Sequence, residues 1–212
     1  MITMKPAAAL LIDGSNFYHA LKKDGRLPFG PAGFGALFGK LAERFELKSI
    51  LFYDALKDRI RDPDGYARQQ KFHAGLRKLG LPLEIRARKL KYVTNLTPEQ
   101  VREKGHEIGI VDACKEKLWS LLLALGVVRW TQEKGIDVML AVDAIEAARC
   151  GKFGTILLLS GDADFVPAVH LIQSLAVQVV NLHPYHGSST ELRMACWQHI
   201  LIDFDELGPL LR

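Results

Sequence analysis

The chain alternates between two hydrophobic patterns. Short continuous apolar runs predict strands, and apolar residues three or four positions apart predict helices between them. The two most apolar runs, Ala7–Asp13 and Ile156–Leu159, contain no polar residue before their ends, so we expect both to be buried on both faces of a sheet. Further strands are predicted at 48–55, 82–90, 177–182 and 200–204.

Helix-spaced apolar residues fill most of the segments between these runs. In the basic segment 64–79, for example, Phe72, Leu76 and Leu79 share one face, and Gly80 follows as a helix stop. Helices are predicted at 31–45, 64–79, 97–105, 111–125, 134–151, 164–175 and 188–197.

Strands that alternate with helices of this length are typical of a parallel sheet covered on both faces, so we predict an α/β fold. The 212 residues show no composition break, internal repeat or low-complexity tract, which predicts a single domain over 1–212. The pattern weakens between 91 and 129, which we interpret as an insertion or a divergent helical segment.

Positive charge is concentrated in one part of the chain. The net charge is +4, but the segment 57–91 holds eleven Lys and Arg against four acids, which leaves −3 for the remainder. A basic segment fits a polyanionic partner such as nucleic acid, although a solvated helix face gives the same pattern. The candidate nucleic-acid-binding residues are Arg59, Arg61, Arg68, Lys71, Arg86, Arg88, Lys89 and Lys91.

The cysteines, the apolar runs and the histidines bear on whether the chain binds zinc, forms disulfides or enters a membrane. The three cysteines are far apart and form no CxxC pair, so we expect neither a zinc knuckle nor a disulfide framework, and reduced thiols predict a cytoplasmic protein. The run before Asp13 and the run Leu118–Val128 are too short to cross a bilayer, so no membrane partner is expected. His183 and His186 are the nearest approach to a zinc pair, and we do not expect them to be one.

Acidic residues stand directly after the two runs that should form central, adjacent strands. The sequence DGSN (13–16) ends the first run, and SGDAD (160–164) follows the second. Ligands of open parallel sheets bind beyond the carboxyl ends of the strands, where the strand order reverses. The candidate site residues at these ends are Asp13, Ser15, Asn16, Ser160, Asp162 and Asp164.

Three carboxylates in one crevice repel one another, and a divalent cation removes that cost. Oxygen ligands suit Mg²⁺ or Mn²⁺ rather than Zn²⁺. Asp137 offers a fourth acid in the first turn of the predicted helix 134–151, with Lys134 three residues earlier on the same side. Asp143 lies about 240° further round that helix, so we expect it to support the structure rather than bind the same metal.

Each acid taken alone has a simpler explanation. Asp164 can cap the following helix, Asp13 can close a turn through Gly14, and Asp137 can interact with the helix dipole alone. Acids at two central strand ends and at one helix start are much less expected by chance. The combined pattern therefore favours a metal site.

Four stretches, LLIDGSNFYHAL, KGIDVMLAVD, ILLLSGDADFVPAVHLI and SSTELRMACWQHILID, together resemble the NYN domain of the LabA-like bacterial group, which belongs to the PIN-like nucleases. The resemblance covers 10–54 and 130–204. It implies a PIN-like three-layer α/β/α sandwich with a central, mainly parallel sheet, and Mg²⁺- or Mn²⁺-dependent cleavage of RNA. By motif it assigns the metal-binding and catalytic positions to Asp13, Asp137, Asp162 and Asp164, with Asn16 in the same site.

The resulting prediction is a metal-dependent ribonuclease that acts on single-stranded or structured RNA. Ser15, Asn16 and Ser160 are candidates to bind the attacking water or a phosphate oxygen, and Lys134 to offset phosphate charge or brace Asp137. The alternative is a regulatory module that keeps the acidic crevice and binds RNA or protein without cutting it. A haloacid-dehalogenase-like phosphatase needs a second Asp where this chain has Ser15.

Two further expectations concern bases and assembly. Tyr18 and Tyr92 are candidates to stack on bases, and Phe17 is expected in the core. The Leu-rich helix near Leu118–Leu125 is expected to pack in a core, with a dimer contact as the alternative, so we expect a monomer or a homodimer.

Overall fold

Strands alternate with helices along most of the chain. The structure, a computed structural model, describes residues 5–26, 29–94, 96–125, 129–132 and 135–207. The strands are β1 (Ala7–Asp13), β2 (Glu46–Leu56), β3 (Leu83–Lys89), β4 (Lys91–Thr94), β5 (Arg129–Gln132), β6 (Thr155–Leu159), β7 (Gln178–His183) and β8 (Gln198–Leu201). The helices are α1 (Gly14–Lys23), α2 (Pro31–Arg44), α3 (Pro63–Arg77), α4 (Pro98–Glu107), α5 (Asp112–Ala124), α6 (Ile136–Arg149), α7 (Val166–Ser174), α8 (Thr190–Ala195) and α9 (Phe204–Leu207).

The two most apolar runs are neighbours at the centre of the main sheet. This six-stranded sheet has the order β3-β2-β1-β6-β7-β8, and β1 pairs in parallel with both β2 and β6. In the β1–β6 pair, Leu10 lies opposite Leu157 and Ile12 opposite Leu159. The prediction that these two runs form central, adjacent strands is confirmed, because each is buried by a neighbouring strand on both sides and by helices on both faces.

Two apolar clusters cover the two faces of the sheet and give the predicted three layers. One face packs against α1, α2, α3 and α9 through buried residues such as Phe17, Phe34 and Leu76. The other face packs against α6, α7 and α8 through buried residues such as Leu140 and Val169. The prediction of an α/β/α sandwich with a PIN-like arrangement is confirmed.

Residues 89–134 form a compact unit distinct from the unit made by 1–88 and 135–212. In the shorter unit, β4 and β5 form an antiparallel pair, and α4 begins with a capping box between Thr97 and Gln100, which satisfies N–H groups of the first turn. Leu121 and Leu125 of α5 are 54% and 66% exposed, so core packing is wrong for these two. No helix in the described ranges, α5 included, is long and apolar enough to cross a membrane.

Several elements differ from the prediction, among them the helix after β1 and the last strand. The helix α1 was not predicted, because its first residues, Gly14 and Ser15, resemble a turn and its apolar face is only ten residues long. The last strand is β8 and ends at Leu201 rather than at Phe204. Phe204 begins α9 instead and packs into the core beside Phe17, with ring centroids 6.4 Å apart.

Candidate active site at the carboxyl edge of the sheet

Asp13 ends β1 and is almost completely buried, with 4% of its surface exposed. Its Oδ1 accepts a hydrogen bond from the Asn16 backbone N–H at 3.0 Å and so caps α1. Its Oδ2 accepts a hydrogen bond from the Ser160 hydroxyl at 3.0 Å. Both oxygens of this carboxylate are therefore held by residues that the sequence also placed in the site.

A second bridge joins the ends of β1 and β6. The Gly161 N–H donates to Asn16 Oδ1 at 2.8 Å, and the Asp162 N–H donates to Ser160 Oγ at 3.2 Å. A Cβ at Gly161 would lie 1.6 Å from the Gly187 carbonyl oxygen, so no other residue fits this turn. Hydrogen bonds thus connect Asn16 and Ser160 to Asp13, and Asp162 to Ser160.

The turn after β6 presents two carboxylates in different ways. Asp162 Oδ1 accepts a hydrogen bond from the Asp164 N–H at 3.0 Å and caps the single 3₁₀ turn Ala163–Phe165. The prediction that Asp164 caps the next helix is wrong, because this 3₁₀ turn intervenes and α7 starts only at Val166. Asp164 is exposed, and Phe165, which is 2% exposed, anchors the turn in the core.

Asp137 lies in the first turn of α6, which starts after Gly135 in the left-handed conformation at φ +74°. Desolvation, and then the negative charges of Asp162 and Asp164, raise the pKa of Asp137 above its ordinary value. The charges of Asp162 and Asp164 therefore lie near enough to act on Asp137. The predicted partner Lys134 lies outside the described residues.

The donor chemistry of this site fits a hard divalent cation. Its four acids offer only carboxylate oxygens, and the repulsion felt by Asp137 is the cost that such a cation offsets. Over the described ranges, however, no three His, Cys, Asp or Glu side chains already stand in positions that could hold a metal ion. The four-acid ligand set therefore stays a prediction.

Asn181 is a residue of this site that the sequence did not reveal. It is completely buried in β7, and its amide Nδ2 donates to the carbonyl oxygens of Leu158 and Ser160 at 3.1 and 2.8 Å. A buried amide must place its N–H donors on acceptors, and both N–H bonds of Asn181 end on the last residues of β6 and the turn after it. Asn181 therefore fixes the end of β6 and the turn that carries Asp162.

Asp143 has a separate partner network. The Tyr53 hydroxyl donates to Asp143 Oδ2 at 2.7 Å, and Arg86 forms an ion pair with the same carboxylate at 3.2 Å. Tyr53 is buried directly opposite Asp13 in the β1–β2 register, and burial, followed by Asp143, raises its pKa. This network joins β2, β3 and α6, and the supporting role of Asp143 stays a prediction.

A buried acid–histidine pair lies near the end of β2. His73 Nε2 is 2.7 Å from Asp54 Oδ2, and the Gln69 amide donates to the same oxygen at 2.7 Å. Asp54 follows Phe52 by two residues, so it points to the α3 face of the sheet rather than to the α6 face. The pair ties α3 to β2, and no local pattern in the sequence indicates it.

The basic residues differ in how they are used. Arg86 is held by ion pairs to Glu84 and Asp143, whereas Arg88 has no ion pair within the described part of the chain. Arg88 lies against the start of α6, because a Cβ at Gly135 would be 2.5 Å from its guanidinium Nη1. The remaining candidates of the longer unit, which are all exposed, are Arg59, Arg61, Arg68 and Lys71. Lys89 and Lys91 belong to the shorter unit.

The histidine pair considered for zinc has two different sets of contacts. His183 Nε2 is 3.3 Å from His199 Nδ1, and His186 Nδ1 is 2.6 Å from Asp24 Oδ1. The two histidines therefore contact different residues.

The aromatic residues considered for base stacking differ in their exposure. Phe17 is buried and Tyr18 is 52% exposed. The side chain of Tyr92 lies outside the described residues.

The sequence profile of the NYN domain matches residues 7–203, a range that includes all four acids. The chain belongs to the NYN family. NYN domains are PIN-like nuclease domains, which supports a general nuclease role for this one.

Two relatives extend the comparison of this NYN domain. The uncharacterised protein y4oD of Sinorhizobium fredii is 38% identical over 61 residues, and the match spans 28% of each chain. The crystal structure of a protein of unknown function from Vibrio parahaemolyticus covers 97% of this chain and 98% of its own, at a TM-score of 0.61 and 22% identity. The second comparison shows the shared fold.

Proposed function

We propose that this NYN domain is a ribonuclease of the LabA-like group that hydrolyses phosphodiester bonds with Mg²⁺ or Mn²⁺. One observation carries the proposal. Asp137 is repelled by Asp162 and Asp164, while the Ser160 hydroxyl joins the same turn to Asp13. Carboxylates that destabilise one another are retained where they serve a site rather than the fold.

In this proposal, Asp13, Asp137, Asp162 and Asp164 hold the cation, which when bound lowers the pKa of water and offsets charge on the phosphate. Ser160 and Asn16 fix the orientation of Asp13, because each donates to one of its oxygens. Asp164 is exposed, and its backbone N–H is bonded to Asp162. Its carboxylate is therefore the candidate to accept a proton from the attacking water.

RNA is the proposed substrate and partner, because exposed positive charge lies on the same unit as the acids. The Arg88 guanidinium lies beside Gly135. Gly135 is two positions before Asp137, at the start of α6. A guanidinium there can bind a phosphate next to the one that is cut. The three free cysteines support the proposal that the protein acts in the reducing cytoplasm.

The test is cleavage of single-stranded RNA with Mn²⁺ by the wild-type protein, by the protein in EDTA and by Asp162→Asn. We expect cleavage only by the wild type with Mn²⁺. Equal cleavage in all three samples would assign the activity to another site or to a contaminant.

The alternative is a binding module that keeps the acids without turnover. It is favoured by the observation that no ready metal-ligand group exists among the described side chains. Tight RNA binding with no cleavage of several RNAs in Mg²⁺ or Mn²⁺ would establish it.

A further inference from the structure

The loop between β2 and α3 has a fixed backbone. Asp58 Oδ1 accepts hydrogen bonds from the Ile60 and Arg61 N–H groups at 2.8 and 2.9 Å. At the base of the loop, Lys57 forms an ion pair with Asp62 at 2.9 Å. Asp62 in turn caps α3. These bonds hold residues 57–62, which we call the β2–α3 loop, in one conformation.

Ile60 stands at the tip of this loop and is 90% exposed, the most of any large apolar residue among those described. Its neighbours Arg59 and Arg61 are both exposed. A single exposed apolar residue is ordinary on a protein surface. An isoleucine held between two arginines on a rigid loop is more specific, because it pairs an apolar contact with phosphate-binding groups.

The β2–α3 loop follows the carboxyl end of β2, at the same edge of the sheet as Asp13. Asp13 lies opposite Tyr53 in the β1–β2 register, and β2 continues for three more residues to Leu56. Strands rise about 3.3 Å per residue, so the loop, which begins four residues past Tyr53, starts roughly 13 Å beyond Asp13 along the strand direction. Because neighbouring strands are about 4.8 Å apart, the end of β2 is only one strand spacing from the end of β1 in the direction across the sheet.

We propose that Ile60 packs against the open face of a base at the junction between a paired and an unpaired segment of RNA, while Arg59 and Arg61 contact the flanking phosphates. Apolar side chains serve as wedges at base steps, and bases stack on protein surfaces at nucleic-acid sites. The preferred substrate is then a stem with an adjacent single strand, which the acids cut near the junction. This inference rests on RNA being the partner in the proposed function, and it names the class of RNA.

The experiment measures binding without cleavage, in the Asp162→Asn background. The probes are an RNA hairpin with a single-stranded tail, carrying a fluorescent adenine analogue at the junction, and the tail alone. We expect the hairpin to bind more tightly than the tail and the analogue to brighten as its base unstacks. Ile60→Ser should lower hairpin affinity about tenfold and abolish the brightening, with tail affinity unchanged.

Three further variants serve as controls. Ile60→Leu keeps an apolar tip and should keep both signals. Met194→Ser removes another exposed apolar side chain, which is 78% exposed and lies on α8, and should change nothing. Arg59→Gln should weaken binding of the hairpin and of the tail equally. It should also reduce the dependence of affinity on salt concentration by about one phosphate contact.

An Ile60→Ser protein that binds the hairpin as the parent does, or that loses hairpin and tail affinity equally, overturns the inference. Because no step depends on cleavage, this result leaves the nuclease proposal standing. Absence of cleavage by the wild type would in turn leave the binding result standing.

Discussion

The Ser160 hydroxyl donates to Asp13 Oδ2 at 3.0 Å, although the two residues are 147 positions apart. The same hydroxyl oxygen accepts the Asp162 N–H. One small side chain therefore links the two central strand ends that carry acids.

Ser160→Ala should reduce both stability and activity. The buried Asp13 carboxylate and the Asp162 N–H each lose a partner, which should cost about 1–3 kcal/mol of unfolding free energy. Because Asp13 is then less well oriented, kcat should fall at least about tenfold. Ser174→Ala is the matched control, since Ser174 is exposed and bonds only to the Leu171 carbonyl in its own helix. Equal denaturation midpoints for the two variants would contradict the bridging role.

Asp137→Asn should stabilise the metal-free protein while abolishing cleavage. The folded pKa of Asp137 is raised above its unfolded value of 3.8, so its stabilising contribution is present below that pH and is lost as pH rises through the folded pKa. At neutral pH the charged form is unfavourable, and the neutral amide should raise the Tm by about 1–3 °C.

The control for this prediction is Glu146→Gln, an exposed acid on the same helix, which should leave the Tm unchanged. With excess Mn²⁺ the wild type should gain stability and Asp137→Asn should gain less, as thermal melts would show. A lower Tm for Asp137→Asn without metal would count against repulsion at this site.

Asn181→Ala should be among the most damaging single changes outside the acids. It removes the hydrogen bonds to the Leu158 and Ser160 carbonyls and opens a small cavity, at a cost of about 2–4 kcal/mol. Urea denaturation measures the loss. Gln178→Ala is the control, because this position is exposed on the same strand and should lose little stability. A similar loss of unfolding free energy at both positions would mean that the Asn181 amide bonds do not stabilise the fold.

Substitutions of Arg88 and Arg86 should have different effects. Loss of Arg88 should weaken RNA binding, and loss of Arg86 should lower stability. Arg88→Ala should weaken RNA binding and reduce the salt slope of log Kd by about one, with an unchanged Tm. Arg86→Ala should instead lower the Tm, because it leaves the half-buried Asp143 without its cation. Filter binding over a salt series, together with melts of both variants, checks the pair. The reverse assignment of effects would show that Arg88 is structural.

Thiol labelling should divide the three cysteines. Burial raises the pKa of Cys196 to about 12, whereas Cys114 and Cys150 are exposed. At pH 8 a thiol reagent should label two sites rapidly in the native protein and all three after denaturation. Because the folded pKa lies above the unfolded value of 9.0, the stability that Cys196 contributes is complete below pH 9 and is lost toward pH 12. Rapid native labelling of all three would contradict this burial.

The central fold was predictable because its signal is local. An apolar run with no polar alternation, as in β1 and β6, indicates a strand buried on both faces, and two such strands become neighbours. The acids at their ends followed from the general rule for parallel sheets. The position of each acid along the chain was therefore visible before any coordinates.

The polar partners were not predictable, because each joins segments far apart in sequence. Asn181 looks like a polar interruption of a strand, and nothing near it in sequence indicates that it holds the end of β6. Tyr53 with Asp143, and Asp54 with His73, are likewise pairs that only the tertiary structure brings together. The wrong cap at Asp164 had a local cause, since the 3₁₀ turn that separates it from α7 has no distinct sequence signal.

The pairing of β1 with β6 also bears on when the protein can act during its own synthesis. Asp13 leaves the ribosome well before its partner strand, which begins at Thr155, and Asn181 is later still. A growing chain therefore displays half of the acids beside ribosomal RNA without a complete site. By this arrangement, any cleaving activity would begin only after β6 and β7 have been translated.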